Sequence, residues 1–225
     1  MHAEISVVVP VLNEAANIEK SLQNLEQIGG IKEVIVVDGG SSDNTITLAT
    51  PYARVIRAPQ GRAWQMNAGA REAAGGILLF LHADTAITRE GIELLRQLMA
   101  DPGVVGGCYK LCFDDRSLLF KLIALGSNLR ARLGKIYFGD QGIFVRREIF
   151  IEINGFPEVP LMEEWGFCRK LRQKGRLVQL PARVTTSSRR WHKYGVWKTI
   201  LLMHRLKLLY LLGVSPYRLK KLYTD

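Results

Sequence analysis

Three almost unbroken apolar runs and a shorter fourth, separated by helix-spaced segments, constrain this chain more than any other feature. Ile5-Ser6-Val7-Val8-Val9 runs up to Pro10, Glu33-Val34-Ile35-Val36-Val37 up to Asp38, and Ile77-Leu78-Leu79-Phe80-Leu81 up to His82, with Arg54-Val55-Ile56 as the short one. Runs with no polar side belong to strands covered on both faces. Between them, Ile18, Leu22 and Leu25 recur at helical spacing as far as Gly29-Gly30. Asp43 to Ala49 reads as a helix capped by Ser42 or Asp43, and Arg62 to Ala74 as a helix stopped by Gly75-Gly76. Strand–helix alternation of this kind predicts an α/β fold around a largely parallel sheet.

The second half is less regular. Val104 to Phe113 is expected as a strand, Leu118 to Leu133 as a helix, and Gly142 to Arg146 as a strand leading into a helix. Glu163 to Lys174 reads as a helix ended by Gly175, Val178 to Leu180 as a last strand, and Trp197 to Leu212 as a long helix. With 225 residues, one domain is expected, residues 1–188, followed by a basic, amphipathic helical appendage, 189–225. A chain of this length buries roughly 70% of its unfolded surface and needs no disulfide staple. Cys108, Cys112 and Cys168 form no CxxC pair, so reduced thiols in the cytoplasm are expected. No cationic leader precedes Ile5, and no charge-free segment is long enough to span a bilayer.

The net charge of +10 is distributed unevenly. Residues 1–164 carry 16 Lys/Arg and 20 Asp/Glu, for −4; residues 165–225 carry 15 Lys/Arg and the single acid Asp225, for +14. A basic end on a mildly acidic body points to a local anionic partner, either ligand phosphates or a membrane surface, and not to nucleic acid.

Ligands of parallel α/β sheets bind beyond the carboxyl ends of the strands. Those ends are Pro10-Val11-Leu12-Asn13-Glu14, Asp38-Gly39-Gly40-Ser41-Ser42-Asp43 and His82-Ala83-Asp84. Each carries an acid at the mouth of an apolar strand. Converging carboxylates repel and are costly to desolvate, so a nucleotide or a divalent cation is expected among them. Neither GxGxxG nor GxxxxGK[ST] occurs, which disfavours a dinucleotide or P-loop enzyme.

Ile5-Ser6-Val7-Val8-Val9-Pro10-Val11-Leu12-Asn13-Glu14 followed by Val36-Val37-Asp38-Gly39-Gly40-Ser41-Ser42-Asp43 resembles the nucleotide-sugar half of glycosyltransferase family 2. Gly61 to Ala70, Phe80-Leu81-His82-Ala83-Asp84-Thr85, Gly139 to Arg147 and Leu161-Met162-Glu163-Glu164 continue the pattern in order, up to about Trp191. The short length, the His-Ala-Asp form and the Arg-Arg-Trp ending most resemble the small subgroup called rSAM/selenodomain-associated transferase 2.

The resemblance implies a GT-A fold, with a mixed, mostly parallel sheet flanked by helices, and a metal-dependent inverting transfer from a UDP- or GDP-sugar to a hydroxyl acceptor. It implies that Asp38 and Arg62 hold the nucleotide, with Pro10, Leu12, Glu14, Gly39 and Asn67 around it. His82, Ala83, Gln141, Arg190 and Trp191 complete the expected donor site. Asp84 would hold the cation, Mn²⁺ or Mg²⁺. Glu164 or Glu163 would be the general base, a role a positioned carboxylate suits because an acceptor hydroxyl is a poor nucleophile. Two departures stand out: Gly39 replaces a second acid after strand 2, and His82 replaces the first acid of an Asp-x-Asp motif. They keep open a catalytically impaired nucleotide-sugar-binding or membrane-docking module. A sugar-phosphate nucleotidyltransferase is a further alternative, disfavoured by Asn13-Glu14 where a basic phosphate loop is needed. The long C-terminal helix has three open placements: on the domain, on a second subunit in a homodimer, or peripherally on an anionic membrane surface.

Overall fold

The computed structural model describes residues 4–224; residues 1–3 and Asp225, the outer ends of the two expected segments, lie outside it. Eight strands form one sheet: β1 (Ile5–Val11), β2 (Glu33–Asp38), β3 (Arg54–Arg57), β4 (Ile77–Phe80), β5 (Thr85–Ala86), β6 (Val104–Phe113), β7 (Ile143–Arg146) and β8 (Arg176–Thr186). Their order is β3-β2-β1-β4-β7-β6-β8-β5. Pairs within β3-β2-β1-β4, and β6 with β8, are parallel; β7 runs antiparallel to both neighbours, as does β5 to β8. The mixed, mostly parallel sheet of the expected fold is thus present.

The helices are α1 (Ile18–Ile28), α2 (Thr45–Ala49), α3 (Arg62–Glu72), α4 (Arg89–Met99), α5 (Leu118–Gly134), α6 (Arg147–Glu152), α7 (Glu163–Leu171), α8 (Arg189–Tyr194), α9 (Val196–Leu211) and α10 (Pro216–Thr224). Apolar clusters cover both faces of the sheet, which is why β1, β2 and β4 read as continuous hydrophobic runs. On one face α3 comes very close: a Cβ at Gly69 would lie 2.4 Å from Val8 Cγ1.

Four expectations are revised. Strand β1 continues through Pro10 to Val11. The amide of Leu81 donates to Val8 O and that of Gly39 to Val11 O, so Pro10 faces the β4 side just past its end, where no ladder N–H is required. Strand β8 runs well past Leu180, because Pro181 falls in an irregularity between Gln179 and Arg183. Helix α2 starts at Thr45, since the Asp43 carboxylate accepts from the Thr45 amide at 3.0 Å and makes a turn of residues 43–44. Helix α4 is an element beyond those expected, capped by Thr88, whose side chain accepts from the Gly91 amide.

The C-terminal helices pack on the domain. Leu206 of α9 and Leu219 of α10 are buried against Leu161 and Met162, just before α7. Trp191 of α8 and Val196 of α9 pack on Phe113 and Phe120.

Candidate active site

The ends of β1 and β2 are tied together by their own loops. Asp38 is 1% exposed. Its Oδ2 accepts from the Gly40 amide at 2.9 Å and its Oδ1 from Ser41 at 3.0 Å. Asn13, at φ 55°, accepts from the Ser42 amide and donates its own amide to Ser41 Oγ. The Glu14 amide donates to Thr45 Oγ1. Gln65 of α3 reaches between the two strands, its Nε2 donating to Val11 O and Val37 O at 2.8 Å each. That amide explains Gly39: a Cβ there would come within 3.0 Å of Gln65 Cδ. Gln65 thus fills the space a side chain at position 39 would need, a role no local signal in the sequence marks. Asn67 is used in the same way, its amide gripping both the N–H and the C=O of Phe156 at 2.9 Å.

Beyond β4 the chemistry changes. Asp84 stands beside Glu14. Burial and then that neighbouring carboxylate push its carboxyl above the ordinary value, against the pull of Arg189. His82 points elsewhere, into the cradle left by Gly139, where a Cβ would lie 2.3 Å from His82 Nε2. Burial, and then the cations Arg62 and Arg190, push this imidazole down to about 3, so it is neutral. The exposed Arg190 guanidinium lies 5.0 Å from the Tyr223 ring.

Arg62, at the start of α3, places Nε 3.2 Å from Glu163 Oε1; its side chain is 38% exposed, whereas Glu163 is 1% exposed. Burial opposes the guanidinium charge, but the carboxylates of Glu163 and Glu164 outweigh it and hold Arg62 above its ordinary value. Glu163 is pushed up to about 7, first by burial and then by Glu164, with Arg62 opposing. Glu164 Oε1 accepts from the Gly139 amide at 3.2 Å. Both glutamates open α7, where a helix N-terminus favours negative charge. Next to them, in the single 3₁₀ turn 139–141, burial raises the Asp140 carboxyl; Arg130 opposes this and Glu164 adds to it. Gln141 Oε1 accepts from Arg130 at 2.7 Å. Phe138 carries Arg130 Cζ at 4.2 Å and Lys207 Nζ, from α9, at 5.4 Å.

Four polar atoms here are buried without a partner: His82 Nε2, Asp140 Oδ1, Gln141 Nε2 and Glu163 Oε2. Buried polar atoms are rarely left unpaired, and those that are call for an explanation such as an absent ligand. The structure therefore brings together Arg62, His82, Gln141, Glu163, Glu164 and Arg190, with Asp84 and Glu14 at the neighbouring mouth. Pro10, Leu12, Gly39 and Ala83 provide backbone along that rim. Asp38 and Asn67 are committed to bonds within the chain, and Trp191 packs edge-on against Phe113 and Phe120 at the foot of α5, in a separate apolar cluster. Asp140, Arg130 and Lys207 were not among the expected site residues. Asp140 and Gln141 share one short motif, whereas Lys207 is brought in only by tertiary packing.

This sheet order, with polar residues gathered beyond β1, β2 and β4, is that of a GT-A fold. Residues 6–155 match the glycosyl transferase family 2 description, and the chain belongs to that family. It is 27% identical over 169 residues to glycosyltransferase AglE of Haloferax volcanii, covering 68% of this chain and 56% of that protein. It is 32% identical over 141 residues to the undecaprenyl-phosphate 4-deoxy-4-formamido-L-arabinose transferase of Pectobacterium carotovorum, covering 57% of this chain and 43% of that one. The chain thus spans about half the length of these relatives. Among solved structures, the mannosyltransferase PcManGT of Pyrobaculum calidifontis, in complex with GDP-Man and Mn²⁺, superposes with a TM-score of 0.71 at 21% identity, covering 99% of this chain and 68% of that one. Glucosyl-3-phosphoglycerate synthase of Mycobacterium tuberculosis, in complex with Mn²⁺, UDP and glucosyl-3-phosphoglycerate, gives 0.58 at 24% identity, covering 82% and 70%.

Proposed function

We propose that this chain is a metal-dependent, inverting glycosyltransferase that moves a sugar from a UDP- or GDP-sugar to a hydroxyl acceptor. One observation carries the reading: Arg62, the Glu163–Glu164 pair and the turn at 139–141 converge around four buried polar atoms that have no partner. The family and the nucleotides held by structural neighbours support a nucleotide-sugar as the missing occupant. The short length, His82-Ala83-Asp84 and Arg189-Arg190-Trp191 support the transferase 2 subgroup. We take residues 1–188 as the catalytic domain and 189–225 as an appendage that closes its acceptor side. Three thiols without a disulfide fit a cytoplasmic setting.

The residues fit a hard divalent cation. The Glu14 carboxylate raises the cost of charge on Asp84 at the mouth, and Mg²⁺ or Mn²⁺ commonly binds one or two carboxylates plus substrate phosphates. No group of three or more His, Cys, Asp and Glu side chains suited to a metal occurs among the described residues, so donor phosphates would complete the shell. When bound, the cation offsets charge gathering on the leaving diphosphate.

The chain's own residues supply the rest. The Glu163–Glu164 pair takes the acceptor proton as the acceptor oxygen bonds to the anomeric carbon and the carbon–diphosphate bond breaks on the opposite face. One displacement inverts the configuration. A carboxylate poised near 7 by burial and a like neighbour suits that task. Arg62 and Arg190 offer bidentate contacts to phosphate oxygens, and neutral His82 and Gln141 offer hydrogen bonds to the sugar. A thermal-shift panel of nucleotide sugars with and without Mn²⁺, followed by an assay of slow donor hydrolysis, tests this. Metal-dependent stabilisation by one donor, together with hydrolysis, is expected. Binding without any turnover would favour the impaired module, and no binding would overturn the proposal.

A further inference from the structure

Helix α5 buries its small side and exposes its leucines. Phe120, Ala124 and Ala131 face the body, while Leu118, Leu122, Leu125, Leu129 and Leu133 are between 53% and 72% exposed. At 100° per residue those five positions fall on one stripe opposite the buried one. Helix α9 repeats the pattern. Leu206 is buried, while Trp197, Leu201, Leu208 and Leu211 are between 57% and 72% exposed on the other side. The two helices lie alongside one another: Val196 packs in the Phe120 cluster, and Lys207 shares the Phe138 ring with Arg130. The stripes therefore form one broad apolar face, of a kind that marks an interaction surface.

The charges around this face select its occupant. Neither α5 nor α9 contains a single Asp or Glu. The exposed positions between the leucines hold Lys121 and Arg132 on α5, and Lys198 and Arg205 on α9. At the flank of α5, Arg132 opens onto a cavity of about 630 Å³ whose walls also carry Lys110, Lys135 and Arg172 and no acid. A second copy of the same face would bring cation against cation. A bilayer with anionic headgroups satisfies both the apolar stripe and its cationic border. No helix among the described residues is long and apolar enough to cross a membrane, so contact is in the plane of the surface.

We propose that α5 and α9 together form an interfacial docking face for an anionic lipid bilayer. On the glycosyl-transfer reading, on which this last step alone rests, docking would hold the cleft close behind α9, whose buried Leu206 packs on Leu161 and Met162 just before Glu163–Glu164. The docking itself is tested without any sugar transfer.

The test is co-sedimentation of the full chain with vesicles of phosphatidylcholine containing about one third phosphatidylglycerol, against pure phosphatidylcholine. Binding to the anionic vesicles is expected, weakened at least about tenfold by ~0.5 M salt. Leu122→Glu with Leu129→Glu, and separately Leu201→Glu with Leu208→Glu, should each weaken binding about tenfold or more with the melting temperature retained. Arg132→Glu with Arg205→Glu should weaken it on anionic vesicles alone. Failure of the wild type to bind, or binding indifferent to all three pairs, overturns the proposal. So does sedimentation-velocity evidence of a dimer that the leucine substitutions dissociate, which would assign the face to a second copy.

Discussion

The two sides of the cleft are built on opposite plans. At the ends of β1 and β2, Asp38, Asn13 and Gln65 are engaged in bonds within the chain. Across the cleft, His82, Asp140, Gln141 and Glu163 each leave a buried polar atom unpaired. The first side is a finished frame that positions a mouth. The second holds carboxylates and cations at a cost that only a ligand removes. Polar residues near a strand end are therefore not equivalent as candidates. Those held by bonds within the chain have their geometry set, Asp38 keeping acceptor capacity for a ligand, and those left unpaired are where chemistry is expected.

Five experiments sharpen or break that contrast. The largest effect is expected on the unpaired side: Glu163→Gln and Glu164→Gln should lower sugar transfer by about 10² to 10⁴ while donor binding by thermal shift changes little. Transfer left intact by both would break the contrast.

The next is a pH effect. The Glu163 carboxyl is raised from an ordinary 4.5 to about 7 in the fold, so the native state holds its proton longer than the unfolded chain. Its contribution is complete below about 4.5 and is lost as pH rises through about 7. At about 1.4 kcal/mol per pH unit, the loss reaches a few kcal/mol at most. Denaturant unfolding of wild type and Glu163→Gln across this range should show a slope that the variant flattens. Activity should instead rise through the same window, since the base must be unprotonated.

On the finished side, Gln65→Ala leaves Val11 O and Val37 O without their donor and should cost about 2 kcal/mol of stability, read as a lower denaturant midpoint. Gly39→Asp, which places an acid directly after Asp38, should push Gln65 aside and also destabilise. The smallest expected effect is that of Asp84→Ala, which should weaken Mn²⁺-dependent donor binding by about tenfold without lowering stability in the absence of metal. Unchanged metal-dependent binding would remove Asp84 from the cation site.

Much of the frame was legible in the sequence. Strands β1, β2 and β4 announce themselves because both their faces are covered, and their mouths then pick out Glu14, Asp38 and Asp84 without any structure. The Glu163–Glu164 pair was legible as a motif opening a helix. Less visible were features decided by distant packing. Gln65 is one residue among several in a helix until β1 and β2 are brought beneath it. Lys207 joins Phe138 only because Leu206, its neighbour in sequence, is buried against Leu161 and Met162. Pro181 hid most of β8, since a proline argues against a strand until the irregular pairing that accommodates it is seen. Helix α4 carries its own signal in the Thr88 cap and the helical spacing of Ile92, Leu95 and Met99.

Gly139 has a consequence for how the protein can change. Even one methyl group there would collide with the His82 ring, 2.3 Å from Nε2, so the absence of a side chain at one position and the presence of a ring at the other depend on each other. A substitution that enlarges position 139 requires the side chain at position 82 to shrink or move. The two sites, 57 residues apart in the chain, should therefore be exchanged together when the cleft is re-engineered for another donor.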